Sequence, residues 1–487
     1  MKKKFLSPQS RRTILRSGLG KWSDYRCLPA IWIISQFMPH AAFAADAQSS
    51  DASFIENNTG FPNASGLSAT FSMQGVIDLG NEFFQSLGTN GRACSTCHRP
   101  EEGWSITPRG IQQRFDDTGG SEPVFRTNDG ANSPKANVST IKARRSAYSM
   151  LLNKGDIRIA LKIPDEAEFE LVDICDPYGF ATENDLNASF ELSLFRRPLP
   201  ATNLKFLSAV MWDGRETVSG RSIHYDLARQ ANNAATGHAQ GHALSLRQRR
   251  HIVEFETALF TAQVYDNGAE ALAAPGAKGG PVALSKQRFY SGINDFLGDR
   301  KTGLPNDPNV FSLYDAWDDL IVTTPTDIRA AIARGQHLFN TKPIAIAGVP
   351  GINSEPEFGN TEVLNGTCST CHNSPNAGSH SAAGFVNIGI SDAAQRTPDL
   401  PLYTLRNKVT GELFKTTDPG RALITGKWRD IGRFKVPTLR GLAARTPYFH
   451  NGMARELGNV LDFYDRRFQI GFDNRERLDL ILFLRSL

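Results

Sequence analysis

Two pentapeptides in this 487-residue chain are identical: Cys94-Ser-Thr-Cys97-His98 and Cys368-Ser-Thr-Cys371-His372. Thiols three positions apart can reach the two vinyl groups on one face of a porphyrin, and a histidine directly after the second can bind the iron from that side. The spacing therefore predicts covalent attachment of two c-type haems, with His98 and His372 as proximal iron ligands. From the chain's own Cys and His frequencies, one chance match is expected in roughly a thousand chains of this length; here there are two. Zinc half-sites would have to pair across the two copies and would leave both trailing histidines unexplained.

Two haems mean electron transfer, redox catalysis or both, and the sixth iron ligands separate these. Between His98 and His224 the chain has no histidine, and its only methionines there, Met150 and Met211, lie in apolar runs suited to core filling. The expectation is an open first iron that can bind peroxide.

The elements that position these motifs read as a duplication. Gly80-Asn-Glu-Phe83-Phe84 precedes the first CSTCH and Gly335-Gln-His-Leu338-Phe339 the second. Each half also offers a late amphipathic helix, marked by Ile252, Phe255 and Leu259 in one and by Leu478, Ile481, Leu482 and Arg485 in the other. Both are expected to pack on the helix that follows their CSTCH. The Gly/Ala/Pro-rich stretch 267–281 reads as a surface linker or loop. Strand-like alternation is scarce, so the expected fold class is mainly α: two cytochrome c-like haem domains with long loops and little β structure. They would span 45–280 and 331–487, with 281–330 as linker or insertion.

The N-terminus reads as an export signal: a basic stretch from Met1 to Arg26, an apolar run from Cys27 to Met38, and Ala42-Phe43-Ala44 before the cut. The run falls short of the roughly 20 residues that span a bilayer, so cleavage is expected after Ala44, with a periplasmic address. Ser10 to Arg16 looks like a twin-arginine motif. With 54 basic and 50 acidic residues the net charge is +4, and removal of 1–44 turns it to −3. That balance excludes a nucleic-acid binder, and no other apolar stretch reaches membrane length. Cys27 leaves with the signal, four cysteines belong to CSTCH, and only Cys175 is spare, in a loop-like acidic segment with nothing electropositive nearby in sequence.

The order of CSTCH, Met211-Trp212-Asp213-Gly214-Arg215, CSTCH, Phe434-Lys-Val-Pro437-Thr-Leu-Arg440-Gly and Thr446-Pro447-Tyr448-Phe449-His450-Asn-Gly452 resembles the bacterial dihaem cytochrome c peroxidase family, which includes the MauG-like enzymes. The resemblance covers nearly all of the chain after the export signal, with 105–145, 160–200 and 265–330 reading as insertions. It implies reduction of hydrogen peroxide with electrons from a small cytochrome c or cupredoxin, entering at the C-terminal haem and passing Trp212 to the N-terminal one. The alternatives are MauG-like oxidation of a protein substrate and a non-catalytic dihaem electron carrier. The assembly state is open, a homodimer included.

The resemblance also implies site residues. Tyr464 takes the position of the second haem's sixth ligand, where classical members have methionine, and Met453 is its rival; a phenolate favours ferric iron and a lower potential. A glutamine and, ten residues later, a proton-moving glutamate line the first pocket in the family. The matching residues here are Gln230 and Gln240, and an amide cannot act as a general base near neutral pH. His238 is open to three readings: proton transfer, a sixth ligand, or a loop histidine. His224, His242 and His251 default to surface positions. A calcium ion between the domains would take the Asn153 side chain and the carbonyls of Arg445 and Pro447.

Overall fold

This computed structural model describes residues 53–180, 190–274, 276–318 and 327–487; the segment 1–44 expected to be an export signal, with Cys27, lies outside them. In the second half, the helices Ile328–Thr341 and Asn474–Arg485 cross at the centre of the largest core cluster. Asp327 caps the first helix through the Arg329 amide, and Asp473 caps the second through the Arg475 and Glu476 amides. Gly335 lies at the crossing, where a Cβ would come within 2.0 Å of the Asp479 carbonyl oxygen. Glycine is what lets the two backbones approach this closely. Arg334 bridges to Asp479 (Nε to Oδ2, 2.8 Å), and the Phe311 ring meets those of Phe339 and Phe483 edge to face. Tyr314 and Trp317 of the 281–330 segment are fully buried in the same cluster.

The first half is built differently. Helices Ile223–Gly237 and Leu246–Thr257 are capped by Ser222 and Ser245, the latter in a capping box with Gln248. Ile252 and Phe255 pack with Phe83, Trp104 and Leu259. Leu259 is not helical: the helix stops at Thr257 and Leu259 opens the strand Leu259–Asp266. The apolar period runs through a change of element because both sides feed one core. Where the second half has a 14-residue helix ahead of CSTCH, the first has a single turn, Glu82–Phe84. Each late helix packs on this preceding element and also on a helix that lies after its CSTCH: Leu246–Thr257 on Ile223–Gly237, and Asn474–Arg485 on Leu457–Phe468.

The expected mainly α class with little β structure is overturned. Helix makes up 31% and strand 18%, the strands forming six small sheets among the described residues. A four-stranded sheet joins Gly60–Asn63, Gly66–Ser72, Leu259–Asp266 and Glu270–Ala271 in that order. A three-stranded sheet sets Leu402–Asn407 between Leu413–Thr416 and Phe169–Cys175. Ile157–Lys162 pairs with Glu191–Arg196. Strands this short carry only two or three alternations, and their partners are remote in sequence, so a local period-2 signal is weak. Tyr403 ties two of these sheets together, its hydroxyl donating to the Ser193 carbonyl (2.8 Å) and accepting from the Ser193 amide (2.9 Å).

Candidate functional site

Each CSTCH forms a tight 3-10 turn, and each turn lines a cavity. The first cavity holds Cys94, Cys97 and His98 in its wall and encloses about 1520 Å³, mouth included; the second holds Cys368, Cys371 and His372 and encloses about 1690 Å³. Apolar side chains dominate both linings. His98 Nδ1 lies 3.0 Å from the Trp104 carbonyl and His372 Nδ1 2.6 Å from that of Gly378. Donation there leaves each Nε2 with a free lone pair. Burial pushes the His98 pKa below its usual value and that of His372 down to about 4, which keeps both rings neutral. Neutral imidazole, a pair of free thiols and an apolar cavity fit a c-type haem at each site.

Tyr464 stands in the wall of the second cavity, packed on Phe468 (ring centroids 6.3 Å apart). Burial, then the nearby Cys371 and Cys368, pushes its phenol pKa up. Met453 packs beside it on the Phe434 and Phe463 cluster, outside that wall. Met150 is buried against Phe195 and Leu400, while Met211 lines the first cavity.

One wall is common to both cavities: Arg197, Pro198, Pro200, Trp212, Lys435 and Thr438 line each of them. The Trp212 indole N–H donates to the Arg197 carbonyl (2.8 Å), and the Lys435 amide donates to the Trp212 carbonyl (2.8 Å). The His450 ring lies 6.3 Å from the indole and stacks on Phe434 at 4.0 Å. The next residue, Asp213, is completely buried and bonds Arg196 (Oδ2 to Nη1, 2.6 Å), which also holds Asp418 (Nε to Oδ2, 2.7 Å). Burial alone would raise the Asp213 pKa; the Arg196 and Arg215 guanidinia outweigh it and hold the carboxyl at about 2.

Gln230 and His238 line the first cavity, whereas Gln240 is exposed and outside its wall. His238 Nδ1 lies 2.5 Å from Asp129 Oδ2, and the other Asp129 oxygen pairs with Arg92. Burial pushes the Asp129 carboxyl up, but His238 and Arg92 hold it below the usual carboxylate range. His224 and His242 are exposed, and His251 meets Glu82 (3.2 Å). Cys175 is exposed too, with the Arg396 guanidinium donating to its sulfur (3.3 Å).

Several residues here had no sequence reading of their own: Asp129, Arg92, Arg197, Lys435 and Glu256. Glu256 is buried in the first cavity's wall, where burial pushes its carboxyl up to about 8. Lys435 is buried in the shared wall, its ammonium donating to the Ala209 carbonyl (3.0 Å), and burial lowers it to about 7. A lysine inside an otherwise apolar Phe-Lys-Val-Pro stretch was a usable signal; the Asn-Asp-Gly around Asp129 reads only as a turn.

The arrangement does not fit a calcium ion. Asn153 is exposed over a shallow dent shared with Lys142 and Arg145. The Arg445 carbonyl accepts from Arg197 Nη2 (3.2 Å). A cation already serves that oxygen, and each unit of charge placed 4 Å from it costs about 4 kcal/mol in a typical protein environment.

Two cavities of this kind, each carrying a CSTCH turn, define a c-type haem protein. The chain is recognisable as a relative of the dihaem cytochrome c peroxidases and MauG. It is 31% identical over 140 residues to the cytochrome-c peroxidase IdrP1 of Pseudomonas sp. (strain SCT), and 30% over 112 residues to the methylamine utilization protein MauG of Paracoccus denitrificans (strain Pd 1222). A third relative, the cytochrome c551 peroxidase of Nitrosomonas europaea, is 29% identical over 121 residues. These matches cover 25%, 23% and 25% of this chain and 36%, 28% and 30% of the relatives, so the chain matches about a third of their length. No family model matches the chain. A crystal structure of a MauG-like protein associated with microbial copper homeostasis aligns over 84% of this chain and 88% of its own, at 15% identity. Its TM-score of 0.36 is too low to carry an argument.

Proposed function

We propose that this protein is an exported, periplasmic dihaem peroxidase that reduces hydrogen peroxide to two waters, using two electrons and two protons. The observation that carries the reading is the wall common to both CSTCH cavities, with Trp212 in it. An indole there shortens the gap an electron must cross from the His372 side, where a small cytochrome c or cupredoxin would deliver it, to the His98 side. Bound haem supplies the iron redox chemistry. Around it the chain's own groups do the rest. His98 offers a neutral Nε2 in the first cavity and His372 one in the second. His238, oriented by Asp129, moves a proton in the first cavity in place of the missing glutamate. Gln230 donates a hydrogen bond there.

Tyr464 favours a second reading, a MauG-like oxidase that takes electrons from a partner protein by long-range transfer, since a phenolate ligand stabilises oxidised iron. Peroxide titration of the holoprotein, followed by optical and spin-resonance spectroscopy, separates the two. Steady peroxide consumption with a reduced small cytochrome supports the peroxidase. Failure with every small donor, beside a stable two-electron-oxidised state, supports the oxidase. Absence of high-spin ferric haem and of cyanide binding would make the protein an electron carrier and sink both.

A further inference from the structure

Arg197 is 4% exposed, and its amide, its carbonyl and both terminal guanidinium nitrogens are bonded. Its amide donates to the His450 carbonyl (2.6 Å), and its own carbonyl receives the Trp212 indole N–H (2.8 Å). Nη1 donates to the Lys154 carbonyl (2.9 Å), while Nη2 reaches those of Arg445 (3.2 Å) and Thr446 (3.4 Å). Two stretches of chain far apart in sequence, at 154 and 445–446, therefore meet on one guanidinium carried by a third. The room for it is built in: Gly155 has φ +65°, and a Cβ there would lie 2.0 Å from Nη1. Such a φ is open to glycine, and any side chain would strike the guanidinium.

The converging acceptors are main-chain carbonyls. Asp156 and Glu102 are buried carboxyls nearby, and both oxygens of Asp156 lack a hydrogen-bond partner among the described residues. Burial pushes the Asp156 carboxyl up to about 8. Calcium takes six to eight oxygens, carboxylates prominent among them. Three carbonyls at fixed directions instead match the planar fork of an arginine.

We propose that Arg197 is a built-in cation that ties residues 154, 197 and 445–446 together, fixes the Trp212 indole in the wall between the two cavities, and makes the protein independent of calcium. This goes beyond the peroxidase reading, because it holds whichever reaction the two sites run. Arg197 is a positioning residue: its side chain acts through the loops it joins, and its backbone acts on Trp212.

The test uses the holoprotein. Metal analysis after desalting is expected to find no stoichiometric calcium, and melting temperature and haem optical spectra are expected to be the same in excess CaCl2 and in EGTA. The R197K variant keeps the charge and loses the fork; its melting temperature is expected to fall by several degrees and its ferric spectra to shift, with calcium restoring neither. One calcium ion retained per chain, or a wild-type protein that loses stability or changes its spectrum in EGTA, would overturn the proposal. So would an R197K protein that melts and absorbs like wild type. Should that variant not fold, the wild-type calcium measurements decide alone.

Discussion

Asp129 shows how a single carboxylate can set the chemistry of a cavity it lines. It fixes His238 through Nδ1 and is itself fixed by Arg92, so the imidazole can present only its other nitrogen to the first site. In the peroxidase reading, D129N frees that ring. Peroxide turnover is expected to fall by about 10- to 100-fold, part of the ~10²–10⁴ that a positioned acid–base group supplies, while the ferric spectrum of the second site stays as in wild type; stopped-flow peroxide consumption reads the first and optical spectroscopy the second. At the other cavity, under the proposed ligation by Tyr464, Y464F is expected to raise the potential of the second haem and change its spectrum, because a phenolate oxygen would be withdrawn. A potentiometric titration identical to wild type would remove Tyr464 as a ligand. The CSTCH turns were legible in the sequence because thiols and imidazole sit within five residues. Asp129 and Arg197 were not, since their partners lie 109 residues and as many as 249 residues away and only the folded chain brings them together.

At the scale of elements, the two halves solve one packing problem in two ways. Ahead of the second CSTCH a full helix crosses the late helix at Gly335, whereas ahead of the first a single turn carries Phe83 and Phe84. The Gly-x-x-[Phe/Leu]-Phe pattern occurs twice in the sequence, yet its two copies take different secondary structure. The crossing explains why position 335 is glycine. G335A places a methyl against the Asp479 backbone, which cannot rotate away as a side chain could. A loss of about 1–3 kcal/mol, the usual range for overpacking, is expected in denaturant unfolding, with the first haem's spectrum unaffected. The short strands were the largest misreading, and for a related reason: Phe169–Cys175 finds its partner in Leu402–Asn407, a pairing that no window of sequence contains.

Across the whole molecule, the Arg196 cluster bonds Asp213, from the WDGR segment, to Asp418 in the second half. Asp213 is held at about 2 in the folded protein, against an ordinary value near 3.9. Its contribution is therefore complete above about pH 4 and is lost as pH falls from there toward 2. D213N removes one partner of a buried pair, at a cost of about 3 kcal/mol or more near neutral pH. The gap between D213N and wild type is expected to narrow as unfolding is measured at successively lower pH between 4 and 2; a constant gap would mean that Asp213 stabilises through packing rather than charge.

The sheet that pairs Phe169–Cys175 with Leu402–Asn407 also governs the order of events during synthesis. The earlier strand leaves the ribosome long before its partner exists, so its unpaired edge must wait through most of the later half. Long-range pairing of this kind raises contact order and slows folding, and an open strand edge is a template for association with other chains. A truncated chain ending before residue 402 would keep that edge permanently, and the two CSTCH-bearing halves, however modular their motifs look, are not separable pieces.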